Sequence, residues 1–146
     1  MYPKSAWQHL IPHRGTMCLL DGVVGWDDAH IHASAVSHRD AANPLRRDGM
    51  LRSVHLCEYG AQAMALHGGL LAARDGAVAR PGLLVSLRAV KLLVARIDDL
   101  PGALDVHAQQ LLAGETGWQY AFRIEHAGVL LAEGRAAVMH AAAAGD

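Results

Sequence analysis

The segment MLRSVHLCEYGAQAMALHGGLLA, residues 50–72, decides the fold of this chain. Ala, Leu and Met dominate it and no proline interrupts it, so we expect one long helix. The helix is apolar on nearly every face, which is typical of a helix buried on all sides. It is closed by Gly68-Gly69 or, as we favour, by the Arg74-Asp75-Gly76 turn.

Three polar side chains interrupt this apolar helix. His55, Glu58 and Gln62 stand at i, i+3 and i+7, which places them along one helix face. A carboxylate in a buried helix is costly unless it is paired or faces a cavity. The face that carries Glu58 is therefore the first place to look for a functional site.

Composition excludes several classes of function. The 146 residues suffice for one domain, and the formal charge of −1 with scattered basic residues argues against a nucleic-acid partner. Cys18 and Cys57 lack metal-type spacing and are expected to be reduced core residues. The N-terminus has no apolar targeting segment and no run is long enough to span a membrane, so we expect a cytoplasmic protein without membrane contact.

The rest of the chain predicts antiparallel strands. Alternating apolar residues indicate a hairpin before the helix and about four strands after Pro81-Gly82. The predicted strands cover residues 17–26, 29–38, 82–97, 103–113, 118–126 and 129–140.

A helix that is apolar all round must be wrapped by the rest of the chain. A curved antiparallel sheet of five to six strands does this, which predicts an α+β hotdog fold with a long central helix. We expect one domain over residues 1–146, with residues 1–9 and 141–146 as peripheral tails. One sheet edge remains open in a monomer, which predicts a homodimer or higher homo-oligomer paired edge to edge.

Three sets of residues extend this interpretation. LIPHR (10–14) is followed by MCLLDGV (17–23), and EYGAQ (58–62) lies on the helix. The third set is LVSLRAVKLL, DLPGALDV, GETG and AEGRAAVM, in that order between residues 84 and 139. Over residues 10–140 the chain resembles the β-hydroxyacyl-ACP dehydratases of fatty acid biosynthesis, and most closely the shorter dehydratases of aryl polyene and related pigment pathways.

One motif departs from the fatty-acid enzymes. They carry a catalytic His in a Gly-His-Phe-Pro-Gly segment before the helix, whereas here that region reads NPLRRDGML (43–51), without His. The partner of Glu58 must then be His13 or His55. The pigment-pathway relatives also lack that His and keep the Pro-His motif, which favours His13.

The resemblance implies a hydro-lyase that removes water from a 3-hydroxyacyl thioester. Glu58, its pKa raised by burial, would donate a proton and a His would act beside it. Amides near Ser53–Leu56 would bind the thioester oxygen. Gln62, Leu56 and Cys57 complete the expected substrate contacts. The acyl group would be attached to the phosphopantetheine of an acyl carrier protein or to CoA. The resemblance implies no cofactor and no metal.

Several alternatives remain open from the sequence. The alternatives are that Glu58 pairs with an Arg or caps a neighbouring backbone, that His13 and His55 are structural, and that Gln62 only joins the helix to a loop. Two other functions use the same fold, namely an acyl thioesterase and a non-catalytic hotdog subunit of a dehydratase heterodimer.

Overall fold

A curved antiparallel sheet wraps one long helix in the computed structural model, which describes residues 1–140. Helix α1 spans Leu56–Arg74. The strands are β1 (Tyr2–Pro3), β2 (Gly22–Trp26), β3 (His30–Ala35), β4 (Gly82–Leu92), β5 (Leu104–Ala113), β6 (Gly117–His126) and β7 (Val129–His140). They form one sheet in the order β1-β2-β3-β5-β6-β7-β4.

This architecture confirms the predicted hotdog fold. Helix α1 packs against β3, β5, β6 and β7, and the inward side chains Tyr120, Phe122 and Ile124 of β6 are buried. The sheet has seven strands instead of five or six because Tyr2–Pro3 pairs with Gly22 and Val23 as a short edge strand.

The N-terminal end of the helix differs from the prediction. The helix begins at Leu56 rather than Met50, and residues Ser53–His55 form a 3-10 turn. The amide of Leu51 donates to Asp98 Oδ1 at 2.9 Å, and the amide of Ser53 donates to the Ala95 carbonyl at 3.1 Å. These bonds to a distant segment hold the backbone extended there. At the other end, α1 stops at Arg74 and Gly76 follows with a φ of 73°, as predicted.

Two glycines let other elements approach α1 closely. A Cβ on Gly60 would lie 2.7 Å from the Phe122 ring, and one on Gly69 would lie 3.0 Å from the Leu10 carbonyl oxygen. The segment around Leu10 can therefore lie directly on the helix. Trp7 is only 1% exposed, so this one side chain of the expected tail at residues 1–9 packs into the core, while the others stay exposed or half-buried. The expected tail at residues 141–146 lies outside the described residues.

Strand β4 is the edge of the sheet on the side opposite β1. It is exposed along nearly its whole length although it is rich in Leu and Val, and Leu83 is 64% exposed. An apolar edge strand with one unpaired side can form backbone hydrogen bonds with a further strand. Within residues 1–140, no helix is both long and apolar enough to cross a bilayer.

Candidate active site

His13 and Glu58 meet across the gap between the N-terminal segment and α1. Nε2 of His13 lies 3.6 Å from Oε1 of Glu58, and the two side chains are 25% and 39% exposed. His13 Nδ1 is buried without a hydrogen-bond partner among the described residues. The pair is thus partly shielded from water and close enough for proton exchange after a small side-chain shift.

Gln62 holds this arrangement in place from within the protein. Its side chain is fully buried. Its Oε1 accepts the Leu19 amide at 2.9 Å, and its Nε2 donates to the Met17 carbonyl at 2.7 Å and to Glu58 Oε1 at 3.4 Å. One amide therefore ties the chain that follows His13 to the helix and orients the carboxylate. This matches the helix-to-loop alternative, with a positioning contact to Glu58 added.

The ionisation of Glu58 differs from the prediction. The neighbouring His13 imidazole, together with the Gln62 amide, holds the pKa of Glu58 below its ordinary value, although burial acts in the opposite direction. Burial alone would raise it, as expected from an apolar helix, but the hydrogen-bonding partners prevail. Glu58 is therefore a carboxylate near neutral pH rather than the resting proton donor.

A mostly apolar cavity of about 480 Å³ extends from this pair. His13, Glu58 and Arg80 supply its polar part. The remaining wall comes from the N-terminal segment, α1, the connection before β4, and strands β4, β6 and β7, namely Leu10, Pro12, Ala61, Met64, Ala65, Ala79, Pro81, Gly82, Leu84, Trp118 and Val138. An elongated, largely apolar ligand with one polar end fits such a lining.

The sequence did not point to part of this cavity. Residues 79–81 belong to the connection before β4, where the sequence has no pattern that predicts a cavity wall. Trp118 was expected only as a packed strand residue. It does pack, against Gly68 and edge-on to His140, and it also lines the cavity. Its position as the first aromatic residue of the stripe, at the start of β6, is the signal that the sequence offers.

The predicted oxyanion-binding amides are already in use. The Leu56 amide donates to the Ser53 carbonyl, the His55 amide to Arg52 and the Ser53 amide to Ala95. The 3-10 turn and the contact with residues 95–97 already occupy these N–H donors. The expectation that they bind the thioester oxygen is therefore wrong for these three amides. Leu56 is buried and Cys57 half-buried, and neither they nor Gln62 line the cavity.

The other candidate side chains lie apart from the pair. No ion pair or hydrogen bond joins His55 to Glu58 within the described chain, although its charge contributes weakly to lowering the Glu58 pKa. His67 uses both ring nitrogens, contacting the Tyr120 hydroxyl at 2.7 Å and the Asp27 carbonyl at 2.8 Å, which agrees with a structural role. Both cysteines are free.

A solved structure shares this fold over nearly the whole chain. The dehydratase heterocomplex ApeI:P from Xenorhabdus doucetiae contains a chain that is 26% identical to this one, with a TM-score of 0.83. The match covers 92% of this chain and 90% of that one.

More distant structures share the fold alone. A hypothetical thioesterase from Streptococcus pneumoniae, solved with coenzyme A, matches at 15% identity and TM-score 0.59, covering 82% of this chain and 84% of that one. A putative thioesterase from Shewanella oneidensis matches at 12% identity and TM-score 0.64, covering 95% and 94%.

A search of curated proteins finds no match. The model of the ApeP-like family, described as ApeP dehydratase, matches residues 5–145. This is nearly the full length, and it includes the Pro-His segment, the Glu-bearing helix and all the strands after it. The chain belongs to the ApeP-like dehydratase family.

Proposed function

We propose that this protein removes water from a 3-hydroxyacyl thioester carried on the phosphopantetheine arm of an acyl carrier protein. The observation that carries the proposal is the contact of His13 with an ionised Glu58 at 3.6 Å in the wall of an apolar cavity. An imidazole and a carboxylate side by side can remove one proton and supply another. The cavity offers the acyl chain an apolar surface of suitable size.

The lowered pKa of Glu58 supports one division of the work between the two groups. The Glu58 carboxylate takes the proton from C2 of the substrate. A protonated His13 gives its proton to the hydroxyl group that leaves C3 as water, and the C2–C3 double bond forms. The proton then passes from the Glu58 carboxyl group to His13, which restores the starting state. No metal, redox partner or bound cofactor takes part in this sequence.

A thioesterase is the second candidate, and it is favoured by the likeness of the fold to two proteins described as thioesterases. The same Glu58 carboxylate would then activate a water molecule that attacks the thioester carbonyl. The two reactions differ in the bond that breaks. One yields an enoyl thioester and water, and the other yields a free acid and a thiol.

We further propose that the exposed edge of β4 pairs with the sheet of a second hotdog subunit. The edge is apolar and unpaired within the described chain, and the cavity includes Gly82 and Leu84 from the same strand. A partner strand would therefore cover the cavity from the open side. The partner is a second copy of this chain or a related subunit, as in the ApeI:P heterocomplex. The heterocomplex keeps open the alternative of a non-catalytic subunit.

Product analysis separates these alternatives. The purified chain is incubated with a 3-hydroxyacyl carrier protein, the intact carrier is weighed by mass spectrometry, and light scattering gives the oligomeric state. Loss of one water from the carrier-bound acyl group supports dehydration, whereas release of the free acid supports the thioesterase. The third outcome is a chain that is inactive alone but forms an active complex with a partner subunit. If that complex is equally active with the wild-type chain and with Glu58→Gln, the chain is a non-catalytic subunit.

The histidine role is tested by a matched pair of variants. His13→Ala removes the imidazole that contacts Glu58, and His55→Ala removes one that does not. We expect a loss of about 100-fold or more in turnover for His13→Ala and a small change for His55→Ala. The reverse order would assign the role to His55.

A further inference from the structure

A charged groove lies on the outer face of the sheet, on the side turned away from α1. It measures about 390 Å³, and its walls carry Lys91, Arg123 and Arg135 with His107 and one acid, Glu133. Arg135 is exposed between the buried residues Gly134 and Ala136, which shows that it points outward. This groove is separate from the cavity that His13 and Glu58 line.

An irregularity in β4 places Arg88 and Lys91 on the same outer face of the sheet. Arg88 and Lys91 are three residues apart, so in a regular strand they would point to opposite faces. Here Arg88 stands opposite Arg135 and Lys91 opposite Glu133, two positions apart on β7, so the extra residue forms a bulge. Ala89 within the bulge has a φ of 53°, a left-handed conformation that is unfavourable for alanine. Backbone strain of this kind concentrates at functional sites.

The charges in the groove are poorly balanced. Arg135, in the groove lining, directly faces Arg88 on the neighbouring strand, which lies beside the lining residues rather than among them, and like charges in that position destabilise a sheet. Neither guanidinium has a hydrogen bond or ion pair within residues 1–140. Lys91 lies 3.8 Å from Glu133, a weak surface pair, while Arg123 bonds Glu125 at 2.9 Å. The protein as a whole is nearly neutral, with a net charge of −1, so this local excess of positive charge stands out.

We propose that the groove binds the phosphate group of a small anionic molecule. Arginine presents a planar fork of donors that matches phosphate oxygens, and a phosphate bound to Arg135 at the side of the groove next to Arg88 would turn the repulsion between the two arginines into two attractions. The volume suits a small ligand rather than a protein surface. His107 and Gln109, which also line the groove, add hydrogen-bonding groups. This inference goes beyond the proposed dehydratase function and does not depend on it.

Thermal unfolding with inorganic phosphate and pyrophosphate as probes tests the proposal. Ionic strength is held constant with sodium chloride, because salt alone screens the arginine repulsion. We expect the Tm of the wild-type protein to rise with either probe. Arg135→Gln should have a higher Tm than wild type without phosphate, because the repulsion is gone, and should bind the probe about tenfold or more weakly.

Arg88→Gln serves as the second variant and should behave like Arg135→Gln. Arg39→Gln is the matched control, since it removes one exposed positive charge outside the groove and should respond to phosphate like wild type. A wild-type Tm that does not change with either probe, or an equal response in wild type, Arg135→Gln and Arg88→Gln, would overturn the proposal. Dehydration by Arg135→Gln should remain at the wild-type level, so failure of this site and failure of the dehydratase assignment give different results.

Discussion

Replacing Gln62 by Leu tests how the active-site pair is held. The Gln62 side chain bonds both the segment after His13 and the Glu58 carboxylate. Leu has a similar size but no polar atom, so the substitution removes three hydrogen bonds and leaves little empty space. The Leu19 amide and the Met17 carbonyl lose the partner that this side chain supplies.

The expected loss of stability follows from those two groups. The buried Leu19 amide left without a partner costs about 1–3 kcal/mol, and the part-buried Met17 carbonyl costs less than that because water can reach it. A domain of this kind has about 5–15 kcal/mol of unfolding free energy in total. Gln62→Leu should therefore fold but with a clearly lowered urea midpoint. Its turnover should also fall, because His13 and Glu58 lose their common support.

Gln119→Leu is the matched control, since Gln119 lies in β6 without a side-chain hydrogen bond recorded in the described chain. Gln119 is half-buried, and replacing a side chain there that makes no hydrogen bond should alter stability by about 0.5 kcal/mol or less. Urea unfolding of the three proteins gives the comparison. A loss in Gln62→Leu of less than about 1 kcal/mol, or one equal to that of Gln119→Leu, would refute the reasoning.

Two further substitutions address the packing and the histidines. Burial lowers the pKa of His107 to about 4 from 6.5, so the unfolded chain binds more protons below about pH 6.5 and stability falls as pH decreases toward 4. His107→Asn should weaken that fall in urea unfolding at about pH 7.5 and about pH 5, and an unchanged slope would contradict it. Gly60→Ala places a Cβ 2.7 Å from the Phe122 ring and should destabilise the protein by about 1–3 kcal/mol in thermal unfolding, whereas an unchanged Tm would show that the helix shifts freely.

The periodicity of apolar residues in the sequence was sufficient to predict most of the fold. The stripe of Tyr120, Phe122 and Ile124 predicted a strand with one buried face, and those residues are buried in β6. The start of the helix was not predictable in this way. Leu51 and Ser53 bond residues more than 40 positions away, and such tertiary contacts override helix propensity.

The site was predictable in its membership but not in its electrostatics. The Pro-His and Glu motifs brought His13 and Glu58 to attention, and the structure places them together. The direction of the Glu58 pKa depends on how close the imidazole and the Gln62 amide lie, which no sequence spacing gives. The same holds for the Leu56 amide, whose bond to Ser53 arises only because the turn before α1 is a 3-10 turn.

The central claim is that the Glu58 carboxylate removes the C2 proton from the substrate. Single-turnover dehydration of a 3-hydroxyacyl carrier protein by wild type and Glu58→Gln, followed by the mass of the acyl group, measures this directly. Gln keeps the size of Glu and its hydrogen bonding to Gln62 but cannot accept the proton. We predict that the variant folds normally and dehydrates at least about 100-fold more slowly. Turnover by Glu58→Gln at the wild-type rate would contradict the account.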